Sequence, residues 1–509
     1  MPLAEKLVLS ALSKTGSTWI TSQDLKEYLN GIKRGPRMNF EDLIADKNIV
    51  CYQNRLYSTI KVAKQENDIA IHAMRLLKCK PCKKVDDAII EKYVHQFETE
   101  ENHGFKLHFH QVDAVKMCIN NNFSILTGGP GTGKTTVLTC ITYVMRKLNP
   151  KIQIAFTAPV GKAARRISES TGEDACTEHK KLGITKENKE ATPVFEDVLF
   201  VDESSMQDNE LASILLGAIK TGNKAIFVGD VDQLPSVGIG AVLRDLIASQ
   251  TIPVTMLTHT FRQDNSTKLY SNILNIRKGK TEIVEGDDYH AFKLPDGVSE
   301  DIRKTAIQSI CKVYMEQVRK WGADNIVVLI PYRRSGCCSN YVNNVIQRMV
   351  NPQKKGYRFY NKADRNELFF LKNDFVMQLD NRDECANGDV GQVLDVSNGG
   401  VTVKFQDTVV EYAPDELEQL ALAYAMSIHK SQGSEYASVI MCLLEEHTTM
   451  LQRNLLYTGV TRAKKECTLI YQKKAYEKAV QTTADANRLT LLVEKLRSLS
   501  DRYQMGYNR

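Results

Sequence analysis

Residues 128–135 read Gly-Gly-Pro-Gly-Thr-Gly-Lys-Thr, directly after the apolar run Phe123-Ser124-Ile125-Leu126-Thr127 and ahead of a helix-forming stretch. Glycine at 128, 131 and 133 lets backbone N–H groups close around phosphate oxygens, where a side chain would block the approach or forbid the dihedrals. A helix starting there adds a favourable dipole. The nucleotide-binding candidates are therefore Gly128, Gly129, Pro130, Gly131, Thr132, Gly133, Lys134, Thr135 and Thr136. Lys134 offers a cation to the β- and γ-phosphates, and Thr135 offers a hydroxyl to Mg²⁺.

Two further segments supply what hydrolysis needs. Asp202-Glu203-Ser204-Ser205 follows Val198-Leu199-Phe200-Val201. A carboxylate at a strand end can hold Mg²⁺ through its water shell, and the next can orient and deprotonate the attacking water. Asp202 is assigned to the metal and Glu203 to the water. An apolar run followed by Asp-Glu also marks ordinary helix starts; the phosphate loop upstream turns the reading towards catalysis. Gly229-Asp230-Val231-Asp232-Gln233-Leu234-Pro235 follows the next apolar run. Its Gln233 amide can bond the γ-phosphate or the water, while Pro235 stiffens the exit; the bland alternative is a loop of turn formers.

The elements that must position these residues are short apolar runs ending in polar ones: Ile152 to Phe156, Val198 to Val201 and Ala225 to Val228, alternating with helical stretches. That alternation predicts a parallel α/β sheet with its site at the carboxyl ends of the strands. Ile326 to Ile330, Val439 to Cys442 and Thr468 to Tyr471 repeat the pattern and imply a second such core. Between them, Phe369 to Leu371, Asp374 to Leu379, Gly391 to Val396 and Gly400 to Phe405 are separated by Asn, Gly and Asp, which suits a small all-β insertion. At the start, helical spacing of Leu3, Leu7 and Leu12, a second helix after Thr21 or Ser22, a third from Phe40 and a hairpin at 49–59 outline a winged helix. The second and third helices are not basic enough to choose DNA binding over scaffolding, and scaffolding is the favoured reading.

Composition sets outer limits. With 509 residues, the chain exceeds the size at which one core keeps growing. A hydrophobic share of 42% with 25% charge is ordinary for a globular protein in water. There is no run of 18 apolar residues, and Met1 to Thr15 lacks a secretory signal pattern, so a cytoplasmic location and no membrane are expected. The 12 cysteines are scattered, which suits reduced thiols. Cys79 and Cys82 have the spacing of half a zinc site, but no second pair follows and His103, His108 and His110 stand at no ligand interval, so a surface turn is the preferred reading. Adjacent Cys337 and Cys338 read as packing residues. A net charge of +6 permits a polyanionic partner without demanding one.

The phosphate loop, Asp-Glu-Ser-Ser, Gly-Asp-x-x-Gln-Leu-Pro, Thr-Phe-Arg-Gln at 260–263, His-Lys-Ser-Gln-Gly at 429–433 and Tyr-Thr-Gly-Val-Thr-Arg-Ala at 457–463 occur in one order. This series resembles superfamily 1 helicases, and within them the RecD-like branch, across about residues 105–475. The resemblance implies two tandem RecA-like P-loop NTPase cores, with a small β-barrel insertion in the second and the winged-helix-like segment in front. The expected divisions are 1–62 winged-helix-like, 63–104 helical connector, 105–262 first core with a short pin insertion at about 173–195, 263–365 second core, 366–420 barrel, and 421–509 the remaining second core and C-terminal helix. It further implies ATP between the cores, adenine near Gln111, and Arg262 and Arg462 as cations reaching the γ-phosphate. Gly433 and Glu435 join the nucleotide set on the same ground.

A single DNA strand is expected to run past Thr157, Pro159, Lys162, Tyr332, Arg333, Ser427 and His429, because hydroxyls, amides and cations suit phosphates and aromatic faces stack bases. Arg165 and Arg166 belong either to that track or to a solvated helix face. The implied activity is ATP- and Mg²⁺-dependent DNA unwinding with 5′-to-3′ movement on single strands and tailed or forked duplexes, by a monomer that could meet replication or recombination proteins. Rival readings are an RNA helicase or protein-displacing translocase, and a nucleotide-binding scaffold without turnover; the intact Lys134, Glu203, Gln233, Arg262 and Arg462 argue against the last.

Overall fold

The structure, a computed structural model, describes residues 1–78, 83–185, 187–261, 267–352, 355–361, 366–382, 384–397, 399–406, 408–483 and 488–507. The chain folds into two compact units, one of residues 1–159, 164–261 and 484–509 and one of residues 160–163 and 262–483.

The first unit begins with helix Leu3–Thr15, β1 (Ile20–Thr21), helices Ser22–Asn30 and Phe40–Ile44, and the hairpin β2 (Ile49–Tyr52) and β3 (Leu56–Thr59). Thr21 and Asn39 cap the second and third helices through their side chains, which explains why those helices start where they do. Strand β3 lies between β1 and β2, and Leu7, Val8, Leu12, Leu25 and Leu43 fill the space beneath. Helices Ile60–Lys78, Asp87–Glu100 and Phe109–Asn120 follow.

Six parallel strands make the main sheet: β4 (Phe123–Gly128), β5 (Ile154–Ala158), β6 (Ala175–Thr177), β7 (Val198–Val201), β8 (Lys224–Gly229) and β9 (Val254–Leu257), in the order β6-β5-β7-β8-β4-β9. Strands covered on both faces need apolar residues at every position, and β4 and β7 are buried throughout. Residues Ala175–Thr177 of the expected pin are an edge strand paired with β5, and Val194 bridges to Ile219, so both ends of the expected pin are tied into the first unit, with 187–190 exposed between them. The C-terminal helix Leu492–Tyr507 also differs from expectation. It belongs to this unit, where Leu492 and Leu496 share a core with Ile69, Ala73 and Leu246.

The second unit contains helix Lys268–Arg277, β10 (Tyr289–Leu294), helix Glu300–Trp321, β11 (Ile326–Leu329) and helix Ser339–Val350. Then come β12 (Gly356–Asn361), β13 (Asn366–Leu371), β14 (Phe375–Gln378), β15 (Val390–Ser397), β16 (Gly400–Phe405), β17 (Thr408–Tyr412) and β18 (Leu420–Leu422). The unit ends with β19 (Ala425–Met426), β20 (Tyr436–Leu443), helix Arg453–Val460, β21 (Ala463–Gln472) and helix Lys473–Gln481. Its parallel sheet runs β10-β21-β20-β11-β19. The inserted β segment forms an antiparallel sheet, β17-β16-β15-β14-β18, plus the β12-β13 hairpin, which starts ten residues before the expected 366. No described helix is long and apolar enough to cross a membrane.

Candidate nucleotide and nucleic-acid site

Strand register sets the site. Thr127 pairs with Gly229, Val201 with Phe227 and Thr157 with Val201, so β4, β5, β7 and β8 finish at one edge of the sheet. Whatever follows each strand emerges along that edge. After β4, the loop turns through Gly131 at φ 73° and Gly133 at φ 79° into helix Lys134–Leu148. Both conformations favour glycine, and a Cβ on Gly133 would stand 2.4 Å from the Gln111 amide nitrogen. Thr132 is buried and its hydroxyl donates to the Gly129 carbonyl at 2.9 Å, bracing the loop. Lys134 Nζ lies within the loop, donating to the Gly128 and Gly129 carbonyls at 2.7 and 3.1 Å. Thr135 and Thr136 occupy the first turn of the helix.

Asp202 leaves β7 with its N–H donated to the Thr157 carbonyl at 2.9 Å. Its Oδ1 accepts the Glu203 N–H at 2.8 Å. Glu203 stands in the left-handed region at φ 50°, ψ 36°, a conformation rare for a residue with a side chain and common where function imposes one. Burial and then the Glu203 charge push the Asp202 carboxyl above the usual carboxylate range, while Lys134 and Arg166 pull it down. Arg166 is thus electrostatically part of this edge, a role its position in the sequence did not reveal. After β8, Gln233 is buried, with its amide nitrogen 3.4 Å from Asp230 Oδ2. The loop, the acidic pair and Gln233 therefore line one edge of one sheet.

Other candidates sit differently. The Gln111 side chain is 4% exposed; its Oε1 accepts the His108 N–H at 2.9 Å and its Nε2 donates to the Thr132 carbonyl at 3.1 Å. Thr157 is fully buried, and its hydroxyl donates to the Phe200 carbonyl at 3.0 Å, so it braces the sheet from inside. Pro159 is half-buried in the turn after β5. Arg262, like Cys79 and Cys82, lies outside the described residues.

In the second unit, Arg462 is 3% exposed and donates to the carbonyls of Thr458 and Ser434 at 3.1 and 3.2 Å. Gly433 turns at φ 73°, and Glu435 pairs with Lys464 at 3.3 Å. Lys162 is grouped with this unit and reaches the Gly388 carbonyl at 3.4 Å. Tyr332 packs edge-on against His447 and Arg333 is exposed. Ser427 caps the short turn holding His429, whose imidazole is held below its usual pKa by burial. Ten described cysteines are free thiols, among them the buried Cys337 and Cys338. Among the described residues, no cluster of three His, Cys, Asp or Glu could hold a metal.

Comparison with known proteins adds ancestry to this geometry. The family described as an AAA domain matches residues 106–293, and the one described as the UvrD-like helicase C-terminal domain matches residues 422–470. The ATP-dependent RecD2 DNA helicase of Deinococcus radiodurans is 32% identical over 395 residues, 76% of this chain and 52% of that protein. The chain is similar to RecD-type proteins. The RecBCD enzyme subunit RecD of Haemophilus influenzae is 29% identical over 471 residues, covering 75% of this chain and 72% of that subunit. A solved chain from a study of forked-duplex unwinding by two coordinating Pif1 helicases aligns with TM-score 0.46 and 18% identity over 72% of this chain and 92% of that one. This chain spans about half the length of the Deinococcus protein.

Proposed function

We propose that the chain is an ATP-dependent DNA helicase that moves along single-stranded DNA from 5′ to 3′ and opens tailed or forked duplexes. The observation that carries the reading is the meeting of the Lys134 loop, Asp202–Glu203 and Gln233 at the common end of β4, β7 and β8. The similar Deinococcus protein, named as a DNA helicase, supports the choice of polymer.

In this reading the loop amides and Lys134 hold the triphosphate, and Glu203 accepts the proton of the attacking water at its carboxylate. Gln233 aligns that water, and Arg462, assigned from its motif, answers to the γ-phosphate charge. Oxygen donors suited to Mg²⁺ are present in Thr135 and Asp202, and the buried Ser205 Oγ has no hydrogen-bond partner among the described residues. When bound, Mg²⁺ neutralises charge on the β- and γ-oxygens. Tyr332, Arg333, Lys162 and His429 are assigned to the strand's phosphates and bases. The protein is taken to act as a monomer in the cytoplasm, on DNA that replication or recombination proteins also handle.

Strand displacement on forks bearing only a 5′ or only a 3′ tail, with and without ATP, tests this. Release of the 5′-tailed substrate with ATP is expected. Failure on both tails, with ATP turnover indifferent to oligonucleotide, would end the proposal.

A further inference from the structure

The segment that follows Gln233 in the first unit is held by a residue that no motif contains. Ser236 to Gly240 form neither helix nor strand, so their carbonyls take partners from elsewhere in the chain. The Ile239 carbonyl accepts the Asn209 N–H at 2.8 Å. Arg488 serves the others around the turn. Its Nη1 donates to the Gly240 carbonyl at 2.6 Å, the Ser236 hydroxyl at 3.2 Å and the Gly238 carbonyl at 3.3 Å, and its Nη2 donates to the Ser236 carbonyl at 2.7 Å. A planar guanidinium presents its donors in a fixed fork, which suits a set of oxygens curved about it.

Both sides of this clamp are fixed. The Arg488 carbonyl accepts from Arg244 Nη2 at 3.3 Å, and the Leu489 N–H donates to Ser17 Oγ at 3.0 Å. On the loop side, the Gly240 N–H donates to the Gly16 carbonyl at 2.8 Å, and Ile239 packs against the core beneath β1, β2 and β3. Gly16 turns at φ 72°, and a Cβ there would stand 2.7 Å from Arg488 Cζ, so the first helix ends in the residue that leaves room for the guanidinium. Between the clamp and Gln233 stand only the buried Leu234 and Pro235, whose ring fixes its φ. A link so short and stiff passes any displacement of Ser236 on to the Gln233 amide.

We infer that Arg488 is a positioning residue for hydrolysis: by gathering the carbonyls of Ser236, Gly238 and Gly240 it sets the Gln233 amide in place, and the winged-helix-like segment completes the same brace through Gly16 and Ile239. The inference rests on the role given to Gln233 in the proposed function. It also gives the N-terminal segment a scaffolding task that needs no nucleic acid.

The test is steady-state ATP hydrolysis in saturating single-stranded DNA by the wild type, Arg488→Ala, Gln233→Ala and the double variant. Misplacing a catalytic group by about 1 Å costs up to about 10²-fold, so Arg488→Ala should lower kcat about tenfold and leave KM for ATP within about twofold of the wild type. With Gln233 already replaced by Ala there is no amide left to misplace, and Arg488→Ala should then lower kcat by less than about twofold. Arg488→Lys keeps the charge and the stem and carries the same comparison if the alanine variant does not fold: kcat should fall about threefold or more with Gln233 present and stay level without it. An equal loss in both backgrounds, or an unchanged kcat with Gln233 present, would overturn the inference and leave the helicase reading standing. Absence of ATP turnover by the wild type would remove both.

Discussion

Glu203, proposed to accept the proton of the attacking water, holds a backbone conformation that is costly for a residue with a side chain. Its left-handed φ of 50° sets the side chain off from the end of β7, next to an Asp202 whose carboxyl already bears the strain of a close negative neighbour. Replacing Glu203 by Gln keeps shape and backbone but removes the proton acceptor, so DNA-stimulated kcat should fall about 10²- to 10⁴-fold with nucleotide affinity retained. Unchanged turnover in that variant would show that another group accepts the proton. A second buried carboxyl, Glu178, behaves otherwise. Burial pushes its pKa up to about 8 from 4.5, against the pull of the Gln207 amide, which donates to Oε2 at 2.7 Å; Glu178 Oε1 and Gln207 Oε1 are both buried without a hydrogen-bond partner among the described residues. Asp208 adds a like charge nearby. Between pH 4.5 and about 8 the folded chain keeps a proton the unfolded chain has released, so stability falls as pH rises through that window, by up to about 1.4 kcal/mol per unit. Glu178→Gln should therefore raise the melting temperature most near pH 8 and hardly at all near pH 4.5, and a uniform shift across that range would contradict the assignment. That Lys134, Asp202 and Gln233 follow strands ending at one sheet edge was legible in the sequence, because each comes directly after a short apolar run of a parallel sheet. The inward turn of Gln111 and the part played by Arg166 were not, since both depend on contacts that spacing does not encode.

Among the elements, strands buried on both faces were the most readable. Val198 to Val201 was expected as a strand and is one, because a covered parallel strand must be apolar at every position. Ala175–Thr177 gave no such signal: three small or polar residues join the sheet only because Phe156 and Thr157 of β5 offer an open edge. The C-terminal helix was equally silent about its partner. Its docking is decided by Glu66, fully buried on helix Ile60–Lys78, whose two oxygens accept from Thr18 Oγ1 at 2.7 Å, Trp19 Nε1 at 2.9 Å, the Leu491 N–H at 2.9 Å and Lys495 Nζ at 2.9 Å. One carboxylate thus ties the first strand region, the connector helix and the C-terminal segment. Glu66→Ala removes the shared acceptor of four donors, of which Thr18 Oγ1 and Lys495 Nζ keep the carbonyls of Leu489 at 3.3 Å and Ala63 at 3.2 Å, and should destabilise the first unit by about 1–3 kcal/mol. Urea unfolding would report this as a lowered midpoint, and protease sensitivity at both ends of the chain should rise with it. A loss under about 0.5 kcal/mol would mean that the helix is held by Leu492 and Leu496 alone.

For the whole molecule, the charge balance constrains how the proposed nucleic-acid partner would be held. The chain has 67 Lys and Arg against 61 Asp and Glu, so the net +6 is thin over 509 residues and supplies little long-range attraction. In the proposed function, binding to a DNA strand would then come from a few direct phosphate contacts, each releasing counterions when it forms. For single strands the slope of log affinity against log salt is about −0.7 per contact, so three to five contacts give a slope of roughly −2 to −3.5. Arg333 is exposed and Lys162 is half-buried; both are assigned to that strand. If each contacts one phosphate, Arg333→Ala or Lys162→Ala should weaken oligonucleotide binding and make the slope shallower by about 0.7, to the same extent for pyrimidine-rich and mixed sequences. Tyr332→Ala should instead weaken binding by about 1–3 kcal/mol with the slope unchanged, because stacking releases no ions. Fluorescence anisotropy with a labelled oligonucleotide at several salt concentrations separates the two behaviours. A flat response for the wild type would show that the strand is not gripped through its phosphates, and directional stepping would then have nothing to act upon.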